Sequence, residues 1–267
     1  MIGHPISHSR SPAIHNAAFE ALGLAGEWVY EAIDMSPQEF VERTRALPEE
    51  GFVGANVTVP HKHAALALSD NASDAAGEIG AANTLSFEHG AIGADNTDAP
   101  GFLAVLPEPP AERRALVLGA GGSARAVVWA LVRERAEVEV WNRTAARAEK
   151  LAGELGASVL DAGGQLPSGD FDLIVNCTSV GMAPPGGSAR PGSELAALRL
   201  SAAGFHRGQV VVDLVYGSAE TELVRVARER GATAIDGLEV LVQQGAASFR
   251  VWTGLDPPID VMRGAAR

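Results

Sequence analysis

Cysteine is nearly absent: the 267 residues contain one, Cys177. That excludes an internal disulfide and fits a reducing compartment. Its setting, Leu173-Ile174-Val175-Asn176-Cys177, reads as the end of a buried strand, so a structural thiol is expected rather than a nucleophile. Basic residues are also scarce. There are 21 Lys and Arg against 33 Asp and Glu, a net charge of −12. Such a surface argues against nucleic acid or an anionic membrane as the main partner, without forbidding a local basic pocket for an anionic ligand. Long apolar runs are missing, and the first residues lack the basic and apolar regions of a secretory signal, so no membrane partner and a cytoplasmic location are expected. No internal repeat at solenoid periods is present. What remains is a chain with 46% hydrophobic residues, enough for a sizeable core in one large or two ordinary domains.

Two blocks emerge, joined by the proline-rich polar stretch Pro107-Glu108-Pro109-Pro110-Ala111-Glu112-Arg113, a linker signal. In the first block, Ser11-Pro12 reads as a helix start, with serine as N-cap and proline at the first helical position. Ile14, Ala17, Ala18, Ala21 and Leu22 then share one apolar face, and Gly23 suits the stop. Residues 28–33 and 54–59 read as strands, and 37–45 and 62–68 as helices. In the second block, strands at 115–118, 138–141, 173–176 and 210–214 alternate with a helix that follows the 119–124 loop to about 135 and another at about 145–155. This is the pattern of βαβ units and a parallel sheet. A last long helix covers 238–252, followed by a short segment, and this end of the chain could pack back on the first block.

Two segments point to chemistry. In Asn56-Val57-Thr58-Val59-Pro60-His61-Lys62, Lys62 falls in the first turn of a helix, where unpaired N–H groups and the helix dipole disfavour a cation. A residue that costs stability at the mouth of a strand is a candidate for function; the plain alternative is a lysine pointing into water. His61 and His63 lie two apart on a helix and face different ways, so no metal is expected.

The second segment is Gly119-x-Gly121-x-x-Ala124, set between a strand and a helix. Its first glycine permits the tight turn, its second lets the backbone approach a pyrophosphate, and its small third residue lets helix and strand pack closely. The plain alternative is a tight turn without a ligand. The next strand is followed by Asn142-Arg143-Thr144, with Arg147 one turn on. NAD-binding chains carry an acidic residue in this region to hold the ribose hydroxyls. Here an arginine could pair with a 2′-phosphate, which favours NADP over NAD. The alternative is that Thr144 is only an N-cap and Arg143 only surface charge.

With these segments in place the chain resembles the shikimate dehydrogenase family over nearly its whole length. The resemblance rests on His8-Ser9-Arg10-Ser11-Pro12, the 56–62 segment, Gly80-Ala81-Ala82-Asn83-Thr84, Asn96-Thr97-Asp98, the glycine loop, Asn142-Arg143-Thr144, Asn176-Cys177-Thr178-Ser179-Val180-Gly181-Met182, Asp213-Leu214-Val215-Tyr216, and Asp236-Gly237-Leu238 through Gln243-Gln244-Gly245. It implies an α/β fold: an N-terminal α/β substrate-binding domain (1–99 with 238–267, the C-terminal helices returning to it) and an NADP-binding Rossmann domain (100–237). It implies reversible NADPH-dependent reduction of 3-dehydroshikimate to shikimate, a small-molecule substrate, and a monomer or homodimer. Lys62 and Asp98 match the family's catalytic pair. Ser9, Ser11, Thr58, Asn83, Tyr216 and Gln244 match its substrate contacts. Gly119, Ala120, Gly121, Gly122, Ser123, Ala124, Asn142, Arg143, Thr144, Thr178, Met182, Val215 and Gly237 match its cofactor contacts. Two alternatives stay open: a quinate-active relative using NAD, and a non-catalytic sensor of a shikimate-like ligand.

Each residue also has a plainer reading. Ser11 could be only a cap, Asn83 and Asn96 only turn residues, Asp98 a cap for a helix over 99–106, and Tyr216 loop packing. The chain departs from the family in its short first strand, in Arg10 between the two serines where leucine or lysine is commoner, and in Arg147 where lysine is frequent.

Overall fold

Short strands and helices alternate through the first 104 residues: β1 (Ile2–Gly3), α1 (Ser11–Ala21), β2 (Ile33–Asp34), α2 (Phe40–Ala46), β3 (Gly54–Asn56), α3 (Lys62–Leu68), β4 (Asn71–Ala72), α4 (Asp74–Ile79), β5 (Thr84–Glu88), β6 (Ala91–Asp95) and α5 (Asp98–Leu103). The computed structural model describes residues 1–6, 9–182, 193–217 and 219–267. His8 of the serine motif lies outside them. The chain divides into two units, Met1–Ala104 with Leu241–Arg267, and Val105–Val240.

In the first unit β3, β5, β6 and β4 form a sheet in that order, antiparallel except for β4 against β6, while β1 pairs in parallel with β2. His89 and Gly90, both at positive φ (53° and 79°), make the two-residue turn joining β5 to β6. That geometry matches strand twist in a tight hairpin. Ile2, Met35, Phe40, Leu47, Ala65 and Leu85 build the core beneath the sheet.

Several local expectations are corrected. Arg10, not Ser11, is the N-cap of α1, and Pro12 follows Ser11 inside the first turn. The buried face of α1 is Ile14, His15, Ala18 and Phe19, whereas Leu22 lies beyond the helix and is exposed. The expected strand 28–33 shrinks to Ile33–Asp34. At Tyr30, the Asn16 side chain takes both backbone groups, receiving Tyr30 N–H at 2.8 Å and donating to Tyr30 C=O at 2.9 Å, and so replaces a neighbouring strand. The strand at 54–59 ends at Asn56, after which Thr58 N–H turns to Ile2 C=O. The helix at 37–45 begins at Phe40, because Ser36 and Glu39 close a turn of their own.

The second unit contains β7 (Arg114–Leu118), α6 (Gly122–Arg133), β8 (Glu137–Trp141), α7 (Ala145–Leu155), β9 (Ser158–Val159), β10 (Leu173–Asn176), α8 (Glu194–Ala197), β11 (Val210–Asp213), α9 (Glu222–Glu229) and β12 (Thr233–Ile235). All six strands are parallel, in the order β12-β11-β10-β7-β8-β9. This is the doubly wound arrangement, with the strand order reversing between β7 and β10. Every residue of β10 and β11 is buried, as parallel strands covered on both faces require. The boundary between the units falls inside α10 (Gly237–Thr253). The last element, α11 (Ile259–Ala266), packs on α1 in the first unit, burying Met262 and Ala266.

Buried titratable groups in both units, His15 and Asp213 among them, make stability depend on pH. His15 is fully buried and stacks on Tyr30 with ring centroids 4.2 Å apart. Among the described residues neither ring nitrogen has a hydrogen-bond partner, and burial lowers its pKa to about 3. The unfolded chain therefore takes a proton on His15 that the folded chain refuses. Stability is lost as pH falls from about 6.5 towards 3. His15→Leu should remove this loss, so the stability of the variant relative to wild type, from denaturant unfolding, should rise across that window.

Asp213 behaves in the opposite sense. Burial raises its pKa to about 6, against hydrogen bonds from Thr221, Val215 N–H and Asn176 that favour its charge. Stability from this group is present at low pH and falls as pH rises from about 4 to 6, by about 3 kcal/mol. Asp213→Asn keeps the acceptor for Val215 and Asn176 and should flatten that slope; an unchanged slope would reject the assignment.

Candidate active site

Three stretches of the first unit meet at one end of its sheet. Register places Asn56 of β3 opposite Thr84 of β5, and Thr84 opposite Asp95 of β6. β3 and β6 run in the same direction, so both exit at this end, and β5 enters between them. The exit of β3 leads to Lys62, the exit of β6 to Asp98, and the entry of β5 follows Asn83. Residues far apart in sequence thus share one row.

Lys62 is the first residue of α3, as its spacing predicts, and is only 8% exposed. A lysine in water is thereby excluded. Its ammonium donates to Asp98 Oδ2 in an ion pair with little exposure on either side. Neighbouring His61 bonds to Met35 C=O and stacks on Phe40, while His63 bonds to Gly80 C=O.

Asp98 opens α5 but does not cap it. Asn96 Oδ1 accepts from Asp98 N–H at 3.1 Å and Ala99 N–H at 3.2 Å, so the aspartate carboxylate is free for other groups. Asn96 is therefore the residue that caps, and α5 covers 98–103 rather than 99–106. Asn83 Nδ2 donates to Asp98 Oδ1 at 2.9 Å and to Gln244 Oε1 at 3.3 Å. Gln244 reaches this position because α10 crosses α5 closely at Gly101, where a Cβ would sit 2.6 Å from Gln244 N. Sequence reasoning missed Gly101; its signal is a glycine inside a short helix, where it costs stability unless close approach requires it.

The hydroxyl candidates gather around β1 and the start of α1. Ser9 Oγ accepts from Ser11 N–H at 3.2 Å and donates to Met1 Sδ at 2.8 Å. Ser11 Oγ is buried and has no hydrogen-bond partner among the described residues. Thr58 lies against β1 so tightly that a Cβ at Gly3 would come within 2.4 Å of its methyl. Tyr216, the remaining substrate candidate, belongs to the second unit and is half-buried.

In the second unit the remaining candidates lie on loops at the carboxyl ends of β7, β8, β10 and β11, or at the start of α10. Gly119 has φ +114°, and a Cβ there would lie 3.1 Å from the Cys177 backbone. Gly121 opens onto free space before α6, a helix with no acidic residue in its first turn. Gly122 and Ser123 start that helix, and Ala124 is fully buried. After β8, Asn142 Nδ2 donates to Thr144 C=O at 2.9 Å. Thr144 holds the N-cap position of α7 without using its hydroxyl, so the capping role expected for that group is not taken up. Arg143 and Arg147 are exposed and make no ion pair among the described residues. Thr178 Oγ1 donates to Asn176 Oδ1 at 2.7 Å, and Asn176 Nδ2 donates to Asp213 Oδ1 at 2.8 Å. A Cβ at Gly237 would lie 2.6 Å from the carbonyls of Leu214 and Val215. Met182 is exposed, and Cys177 is half-buried at its strand end. An open glycine loop before a helix N-terminus, no carboxylate after β8 and two unpaired arginines fit a dinucleotide carrying an additional phosphate.

Known proteins agree with this geometry. Family models match residues 1–85 (shikimate dehydrogenase substrate binding domain), 107–179 (shikimate / quinate 5-dehydrogenase) and 237–267 (shikimate 5'-dehydrogenase C-terminal domain). A shikimate dehydrogenase (NADP(+)) of Methanopyrus kandleri is 42% identical over 99% of this chain and 93% of its own. The shikimate 5-dehydrogenase of Thermus thermophilus, solved in complex with NADP(H) and shikimate, superposes with a TM-score of 0.85 at 41% identity, covering 100% of this chain and 97% of that one. The shikimate dehydrogenase of Aquifex aeolicus gives 0.88 at 37% identity, covering 100% and 96%. On its buried lysine–aspartate pair, its doubly wound second unit and these matches along its length, the chain belongs to the shikimate dehydrogenase family.

Proposed function

We propose that this chain catalyses the reversible NADPH-dependent reduction of 3-dehydroshikimate to shikimate, the first unit holding the substrate and the second the cofactor. The observation that carries this reading is the buried Lys62–Asp98 ion pair, joined through Asn83 to Gln244. It is supported by relatives named shikimate dehydrogenase (NADP(+)) and by a structural neighbour solved with NADP(H) and shikimate.

When bound, NADPH supplies the hydride. Ketone reduction leaves negative charge on the carbonyl oxygen, and Lys62 Nζ stabilises that charge and gives the oxygen a proton. In the reverse direction the neutral amine takes the proton back. Asp98 holds the ammonium in line and has lone pairs left to accept from a substrate hydroxyl. Asn83, Gln244 and Tyr216 add amide and hydroxyl groups for the substrate's hydroxyls. Ser9, Ser11 and Thr58 offer donors to its carboxylate, and the Ser11 hydroxyl has no partner of its own among the described residues. Such a site binds an anion without a buried guanidinium.

For the cofactor, Gly119, Ala120, Gly121, Gly122, Ser123 and Ala124 receive the pyrophosphate. Asn142, Arg143 and Thr144 receive the 2′-phosphate. Thr178, Met182, Val215 and Gly237 line the remainder of the site. Relatives named for NADP(+) and the missing carboxylate after β8 favour NADP over NAD. A ligand sensor has no use for a buried lysine–aspartate pair. No helix among the described residues is long and apolar enough to cross a membrane. The enzyme is proposed to act in the cytoplasm on this small-molecule substrate, as a monomer or homodimer.

Lys62→Ala should lower turnover on the order of 10²-fold or more while leaving NADPH binding intact. Steady-state rates and a separate fluorescence titration of NADPH check this, and near-normal turnover would remove Lys62 from the chemistry. Arg143→Ala should raise KM for NADPH by about tenfold with little change for NADH. An unchanged ratio of the two cofactors' kcat/KM would reject its role at the 2′-phosphate.

A further inference from the structure

Asn83 is held from behind. Its Oδ1 accepts from Thr97 N–H at 2.7 Å, Thr97 Oγ1 at 3.1 Å and Thr84 Oγ1 at 3.2 Å. All three residues are buried. A rotated amide would turn its NH₂ towards the Thr97 N–H, donor against donor, so the orientation is fixed and Nδ2 must face Asp98 and Gln244. The two hydroxyls lie 2.9 Å apart and each has one proton, so while one donates to Asn83 Oδ1 the other can donate to its neighbour. Asn56 Nδ2 in turn donates to Thr84 Oγ1 at 3.2 Å and to Asn83 C=O at 3.3 Å. That carbonyl fixes the Asn56 amide, leaving its Oδ1 to the hydroxyls of Tyr30 at 2.6 Å and Ser248 at 3.2 Å. Donors therefore point one way, from Asn56 through Thr84 to Asn83, directly or by way of Thr97, and on to the carboxylate of Asp98.

We infer that Thr84 is a positioning residue of this enzyme. It acts through Asn83 to hold Asp98, and so the Lys62 ammonium, in the geometry of proton transfer. It is 1% exposed, so it acts from within the core rather than at the surface of the site. The inference rests on the reading of Lys62 and Asp98 as the reacting pair. Losing the hydroxyl leaves Asn56 Nδ2 one acceptor short and removes a donor from Asn83 Oδ1, which loosens the amide that locates the carboxylate. Small misplacements of catalytic groups are costly in rate.

The test compares Thr84→Val, which keeps shape without the hydroxyl, with Thr84→Ser, which keeps the hydroxyl. Thr84→Val should lower kcat by about 10-fold or more with KM for NADPH unchanged, and Thr84→Ser should restore most of it. In an Asn83→Ala background, adding Thr84→Val should cost nothing further, because the route through Asn83 is already lost. Wild-type turnover in Thr84→Val, equal losses in both variants, or losses that multiply with Asn83→Ala would each overturn the inference. If thermal melting shows Thr84→Val to be unfolded, Thr97→Val against Thr97→Ser makes the same comparison at the paired hydroxyl. Asp98→Asn separates the two levels: normal turnover there defeats the reacting pair itself, whereas an inactive Asp98→Asn beside a normal Thr84→Val defeats only the positioning role.

Discussion

A lysine and an aspartate withdrawn together from water organise the first unit. Either charge alone in that position would face a desolvation cost of several kcal/mol, which the partner offsets only if the geometry is held. The surrounding residues supply that geometry. Lys62 starts α3 and Asp98 starts α5. The dipole of α3 opposes the lysine, while that of α5 favours the aspartate. The Asn96 side chain takes over the capping of α5, so the Asp98 carboxylate is left to Lys62 and Asn83. Behind it, buried amides and hydroxyls are saturated by one another, as polar groups in a core must be.

The sheet makes this meeting possible. Strands β3 and β6 run in the same direction on either side of β5, so their exits and its entry lie side by side. Gln244, 161 residues after Asn83 in the chain, joins them because Gly101 lets α10 come against α5. The second unit solves a separate problem with the same economy. Its strand order reverses between β7 and β10, and the glycine loop follows β7. At the neighbouring strand ends, Asn176, Asp213, Thr178 and Thr221 bond to each other. This lattice shapes the loops after β10 and β11, and it keeps a carboxylate buried whose ionisation costs stability near neutral pH.

The second unit was the more legible in sequence. Its central strands β7, β10 and β11 are apolar runs, buried almost throughout, and α6 and α7 are long and periodic. The spacing therefore gave 145–155 and 173–176 to the residue and the ends of β7, β8 and β11 to within one, while the short or exposed β9, α8, α9 and β12 gave no signal. The first unit was less legible because four of its six strands have only two or three residues and side chains close some of its segments in place of a neighbouring strand. Asn16 satisfies Tyr30 in place of a strand, and Ser36 with Glu39 delays α2. Periodicity does not register either device. The buried face of α1 was misplaced by one position because His15, a polar residue by type, packs among Phe19, Tyr30, Phe249 and Trp252.

By itself the sequence determined the elements that carry chemistry: a lysine in a helix's first turn, a glycine loop after a buried strand, an arginine where a carboxylate would select NAD. These follow from local rules, in which a few adjacent residues decide backbone conformation and charge. Only the tertiary structure decided that Lys62 is buried, that Asp98 pairs with it rather than capping its own helix, and that Thr84, Thr97 and Asn56 stand behind Asn83. Those facts depend on strand register and helix crossing, which bring side chains from distant segments within hydrogen-bonding distance. No local pattern encodes which buried donor will find which acceptor.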